Sequence, residues 1–263
     1  MNQAWFFTLV LAAGSGCVGQ TGGQTVDFSV AAAGSTDAVA GQPLAFTNSA
    51  GWDVVLTLAK LHIGALYLDE SRPISGGQAT GCYLTGTYVA QETSGLDVDL
   101  LNPGLQMFSA KAHGITEPTA LIGQVWLTGG DINASTDPAP ILVVAGTATQ
   151  SVASFPFSGT VTISSNRQAA ISGAAGGDPM CRARIVTPID AVPIRSTGGL
   201  LLRIDPRDYF TGVDFSQLPP DTTTGGYAFS DDPSSAGYSP TGFQLYTNLH
   251  QTAPYTFSWT DSL

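Results

Sequence analysis

The sequence predicts an all-β fold, a mainly antiparallel β-sandwich of immunoglobulin-like or jelly-roll-like kind, with a disulfide and little helix. Three observations carry this. Short runs rich in Val, Ile, Leu, Phe and Thr recur along the chain, separated by Gly, Pro, Asn, Asp and Ser clusters. Within runs such as 155–163, apolar and polar residues alternate, the period of a half-buried strand. Charged residues are only 11% and glycines number 31, a composition far from that of long helices. Hydrophobic residues at 43% suffice for a sizeable core.

The candidate strands, in order, span 25–31, 44–47, 53–68, 83–91, 96–100, 105–111, 120–128, 141–149, 154–164, 184–189, 199–204, 242–246 and 255–260. In 155–163, Phe155, Phe157, Val161 and Ile163 fall opposite Ser158, Thr160 and Thr162. The run 54–68 is apolar on both faces, as expected of a strand covered on both sides. Its helical reading is weaker, because Gly64 interrupts it and no cap precedes it. Residues 218–239, rich in Pro, Gly, Asp and Ser, read as the longest loop, and 173–179 as a second flexible turn. One short helix is expected after Asp205, which caps it, with Pro206 in the first helical position. No fixed-period repeat and no two-domain break is visible, so 25–263 reads as one domain.

Ahead of that domain lies an apolar run of about ten residues, Ala4 to Ala13. It is too short to span a membrane, which takes about 20 residues, and fits the hydrophobic part of a secretion signal. Gly14, Ser15 and Gly16 follow, then Cys17. Small residues just before a cysteine resemble the lipobox of bacterial lipoproteins, in which cleavage precedes a cysteine that then carries lipid. The pattern departs from that motif in two ways: no Lys or Arg precedes the apolar run, and Gly14 stands where Leu is usual. Ordinary secretion with cleavage near residue 16 is the competing reading. Residues 1–16 are thus expected to be a signal peptide, and 17–24 a flexible tether after a lipidated Cys17. Val18 after the cysteine, instead of Asp, favours the outer membrane.

Nine Lys and Arg face 20 Asp and Glu, for a net charge of −11, and the lysines are Lys60 and Lys111 alone. This excludes nucleic-acid binding, which needs a basic face. With Cys17 lipidated, Cys82 and Cys181 remain as a pair, expected to be a disulfide in an oxidising compartment. A loop of that length is worth about 4–5 kcal/mol in the chain-entropy account. A metal or redox role is the alternative for the pair.

Enzyme signatures are sparse. There is no GxSxG nucleophile elbow, no HExxH and no phosphate-binding GxxxxGK loop. A glycosidase needs only two carboxylates, so a hydrolase acting on envelope polymers stays open. Asp131, Asn133, Ser135 and Asp137 place oxygen ligands at alternate positions, like the first half of a calcium loop. Thr136 and Leu142 stand where such a loop carries Gly and Glu, and an Asx-rich turn is the competing reading. His62, His113 and His250 are candidate copper or zinc ligands if the fold gathers them. The plainer reading is a core histidine at 62 and two surface ones. Trp52, Trp126, Trp259, Tyr209, Phe210, Tyr227, Tyr238 and Tyr246 are candidates for a sugar-stacking platform, against the commoner role of strand aromatics as core. Trp126 alternates with Val125 and Leu127, which suggests that it faces outward.

The stretches 51–68, Val125-Trp126-Leu127-Thr128-Gly129-Gly130-Asp131 and Leu202-Arg203-Ile204-Asp205-Pro206-Arg207 resemble a group of uncharacterised secreted bacterial lipoproteins. That resemblance covers nearly the whole mature chain and implies no activity. Residues 54–68 are also similar in pattern to an early strand of the methanobactin-associated copper proteins of the MbnP type. This likeness implies a periplasmic β-sandwich that binds copper through histidines near an oxidised tryptophan. Their ligand histidines have no one-to-one match here. The expectation is therefore a lipid-anchored, non-catalytic binding or cell-envelope module, with a copper-binding protein as the alternative and an envelope-polymer hydrolase as the third class.

Overall fold

Gly64 decides the architecture. The run 53–68 is not one strand: it divides at Gly64 into β3 (Asp53–Ile63) and β4 (Ala65–Asp69), and the two enter different sheets. The Gly64 N–H donates to the Trp126 carbonyl at 2.8 Å where the chain crosses over. The expectation that the run is covered on both faces fails for β3, where Val54, Leu56, Ala59 and Leu61 are buried but Asp53, Val55, Thr57 and Lys60 are exposed. A computed structural model describes residues 23–71, 87–127, 137–163, 184–222, 224–230 and 238–263. The leader, Cys17, Cys82, Cys181, Asp131, Asn133, Ser135 and the turn 173–179 lie outside the described residues. So does the side chain of Asp137, whose backbone opens a strand.

The other described strands are β1 (Thr25–Ala33), β2 (Leu44–Thr47), β5 (Tyr88–Glu92), β6 (Leu96–Asp99), β7 (Gln106–Met107), β8 (Ala112–Ile115), β9 (Ala120–Trp126) and β10 (Asp137–Gln150). They continue with β11 (Ala153–Ile163), β12 (Arg184–Val192), β13 (Gly199–Ile204), β14 (Tyr227–Ser230) and β15 (Tyr255–Thr260). The fold is mostly β. One sheet has nine strands in the order β12-β9-β4-β5-β8-β1-β13-β15, with β7 also on β1. Its end strands β12 and β15 pack on each other, so it curls toward a closed barrel and is not a flat leaf. The second sheet has six, in the order β14-β11-β10-β3-β2, with β6 on β3. Pairing is antiparallel except for β1 with β13 and β11 with β14. One buried cluster joins the sheets, with Phe28, Leu66, Val125 and Leu200 from the first and Leu56, Leu61, Val144 and Phe157 from the second.

Two more expectations fail. Residues 242–246, read as a strand, belong to helix α1 (Pro240–Leu249). Ser239 caps it by accepting from the Gly242 N–H at 3.0 Å, and Pro240 occupies its first turn. The stretch 218–239, read as a loop, contains β14, whose Phe229 is buried. The short helix after Asp205 is present as a 3-10 turn, Pro206–Phe210, capped as expected. Buried Asn48 and Asn248 hold this irregular stretch. Asn48 donates to the carbonyls of Phe210 and Val213, and Asn248 to those of Tyr209 and Thr211.

Candidate functional site

Strand register builds one outward row across five strands of the larger sheet. Gln124 of β9 lies opposite Tyr67 of β4, Tyr67 opposite Gln91 of β5, Gln91 opposite His113 of β8, and His113 opposite Asp27 of β1. Neighbours in sequence show that these side chains leave the core. Tyr67 alternates with buried Leu66 and Leu68, Gln91 follows buried Ala90, and His113 follows buried Ala112. Asp27 precedes buried Phe28. A Cβ on Gly123 would strike the Phe257 ring at 2.4 Å, so β9 presses that residue inward and Gln124 outward. At the exposed end, His113 Nδ1 and Asp27 Oδ1 are 2.6 Å apart, with side chains 68% and 54% exposed. That bond turns the other ring nitrogen, Nε2, toward solvent.

The opposite end is aromatic and buried. Trp126 donates through Nε1 to Gln124 Oε1 at 3.1 Å, and Gln124 Nε2 donates to the Asp69 carboxylate. Gln124 and Asp69 are fully buried. The Tyr67 ring packs against those of Tyr88 and Trp126 at 5.2 and 5.5 Å, both tilted at 58°. Burial pushes the Tyr67 phenol above its ordinary pKa, keeping it a neutral donor and acceptor. Toward solvent the arrangement offers one face of the half-buried Tyr67 ring, the Gln91 amide, the His113 imidazole and the Asp27 carboxylate, while Gln124, Asp69 and Trp126 brace them from beneath. Sequence reasoning singled out Trp126 and His113 but not Tyr67, Gln91, Gln124 or Asp27, whose positions in the chain share no spacing.

The other sequence candidates are placed separately. Trp126 lies on the same side of the sheet as Tyr67 but is itself buried, at 9% exposure. Trp52, Tyr209 and Phe210 belong to the buried cluster, and Tyr227, Tyr246 and Trp259 pack against it. The three histidines do not converge, so the copper alternative finds no shared site in them. His62 on β3 bonds Asp97 of β6 at 2.6 Å, His113 bonds Asp27, and His250 ends α1 with Nδ1 2.8 Å from the Tyr246 carbonyl. Each imidazole serves its own local partner, because β3, β8 and α1 carry the three to different parts of the fold. Among the described residues no group of three or more His, Cys, Asp or Glu is placed to hold a metal. The calcium-like loop lies outside the described residues.

Two further polar features stand apart from the row. Arg207 donates to Asp205 through Nε at 2.9 Å, to Asp37 at 2.7 Å and to Ser35 at 3.1 Å. The Ser35 hydroxyl, then Arg207, hold the Asp37 carboxyl below the usual range. This clasp ties the turn after β1 to the turn after β13. On the outer face of the six-stranded sheet lies an open trough of about 520 Å³ between β3, β10, β11, β14 and residues 220–222. Its floor is small and hydroxylated, with Ala145, Ser158, Thr160, Ala228 and Ser230.

No protein-family model matches the chain. No curated protein matches it. Among solved structures, MbnP from Methylosinus trichosporium is similar at 12% identity, over 90% of this chain and 99% of that one, with a TM-score of 0.40. This is a remote likeness and assigns no residue here.

Proposed function

We propose that this chain is a lipid-anchored, extracytoplasmic β-sandwich module that holds an envelope polymer on the outer face of its nine-stranded sheet, without catalysis. The observation that supports it is the row Gln124, Tyr67, Gln91, His113, Asp27. In register on a non-core face, Tyr67, Gln91, His113 and Asp27 present a line of donors and acceptors that a hydroxylated ligand can match. Asp27 and Asp69 are engaged by His113 and Gln124, and are not arranged as an acid–base pair. The leader ending in Gly14-Ser15-Gly16-Cys17 supplies the address. Asp27 follows Cys17 by ten residues (27 − 17), so the tether reaches at most about 35 Å. The exposed end of the row is therefore kept close to the anchoring membrane, which on this reading is the outer one.

Two measurements test the reading. Cys17→Ser is expected to move the protein from the membrane fraction to the soluble fraction, or to block its maturation. Unchanged membrane fractionation contradicts the anchor. The purified protein is expected to co-sediment with insoluble envelope polymer, and the double variant Gln91→Ala with His113→Ala to lose most of that binding. Equal sedimentation of the double variant contradicts the binding face.

A further inference from the structure

We infer, building on the binding-face reading, that the row takes a neutral, linear, β-1,4-linked glycan laid across the strands, one sugar per strand. Tyr67, Gln91, His113 and Asp27 stand on four successive strands, β4, β5, β8 and β1. Neighbouring strands are about 4.8 Å apart, so the row repeats at that step. A pyranose linked through equatorial positions advances along its chain by nearly the same distance. Register thus sets one polar or aromatic side chain under each successive ring.

The chemistry at each step suits a hydroxylated ring. Tyr67, packed by Tyr88 and Trp126, gives a fixed aromatic surface for the C–H face of a sugar. The Gln91 amide both donates and accepts, as a sugar hydroxyl does. Asp27 accepts only, and His113, oriented by Asp27, offers Nε2. The row carries two acidic residues beside it or in it, Asp69 and Asp27, and no Lys or Arg, on a chain of net charge −11. An anionic polymer is therefore disfavoured. An extended peptide is disfavoured too. It binds by adding to an unpaired strand edge, whereas β4, β5 and β8 each have a strand on both sides. Recognition here falls to side chains.

The test is calorimetric titration of the mature protein with β-1,4-linked glucose and N-acetylglucosamine oligosaccharides, from disaccharide to hexasaccharide. Affinity for at least one series is expected to rise about fivefold per added sugar, the factor one net hydrogen bond supplies, and to level off at the tetrasaccharide. Asp27→Ala is expected to move the plateau to the trisaccharide, and Tyr67→Ala to weaken every length. Both side chains are at least partly exposed, and an unchanged melting temperature checks that the variants fold. Equal affinity for disaccharide and tetrasaccharide overturns the one-sugar-per-strand geometry. Binding of neither series at millimolar concentration, while the protein still sediments with envelope polymer, overturns the glycan assignment and leaves the binding face standing. Loss of both overturns the two together.

Discussion

On the nine-stranded sheet the outward row runs Gln124, Tyr67, Gln91, His113, Asp27. On the six-stranded sheet the matching outward rows run Leu58, Ala145, Ser158, Ala228 and Lys60, Val143, Thr160, Ser230. Both faces cover the same buried cluster, and both are ordered by strand register. They differ in the size of what stands on them. The hydroxyl and methyl groups of Ala145, Ser158, Thr160, Ala228 and Ser230 leave a shallow open trough with only short-reach hydrogen-bonding groups on its floor. On the other sheet Gln91 and His113 stand out into solvent beside the half-buried Tyr67 ring, with no cavity around them.

The largest expected effects come from a matched pair of glycines beneath the two faces. A Cβ on Gly123 meets Phe257 at 2.4 Å, and one on Gly159 meets Phe229 at 2.5 Å. Gly123→Ala and Gly159→Ala are each expected to cost about 1–3 kcal/mol by overpacking. In a chain of this size that lowers Tm by roughly 2–4 °C per kcal/mol. Only Gly123→Ala shifts β9 under Gln124, so only it should weaken polymer binding. Equal loss of binding in both would mean that general stability, not the row, governs recognition.

A smaller effect belongs to the Arg207 clasp, which touches neither face. Arg207→Ala is expected to cost about 1 kcal/mol, since its partners are partly exposed and only their networking raises it above a lone surface pair. Its pH dependence follows from Asp37. A carboxyl held below its ordinary pKa stabilises the fold above the usual carboxylate range and loses that contribution as pH falls through its folded value. The stability gap between natural protein and Arg207→Ala should therefore narrow on acidification, in thermal melts from neutral pH downward. A gap that widens would place the stabilisation elsewhere. The smallest effects are expected on the trough. Ser158→Ala with Thr160→Ala should change stability by less than about 0.5 kcal/mol per site and leave polymer binding intact.

Much of the fold was legible because strands were marked locally. The ends of 44–47, 199–204 and 255–260 coincide with β2, β13 and β15, each bounded by turn residues. Errors arose where tertiary context overruled local pattern. Residues 53–68 read as one largely apolar stretch interrupted only by Gly64, but the crossing there depends on a hydrogen bond to Trp126, a residue far along the chain. The run 242–246 has strand-like composition, and the helix signal lay upstream in Ser239 and Pro240. β14 is four residues long and survives inside a polar stretch because Phe229 packs against Phe157, Phe210 and Phe215. The candidate site was the least legible part. Alternation separated Trp126 from Val125 and Leu127, but could not show that it is buried beneath Tyr67. The partnership of Gln124, Tyr67, Gln91, His113 and Asp27 exists only once the strand order β9-β4-β5-β8-β1 is known.

The most direct measurement is an amide chemical-shift map of the isotope-labelled protein, recorded with and without soluble fragments of the envelope polymer. The account predicts shifts concentrated in β4, β5, β8, β9 and the first half of β1, centred on Tyr67, Gln91 and His113. Shifts centred on β10, β11 and β14 around Ser158 and Thr160 would contradict it and assign binding to the opposite face.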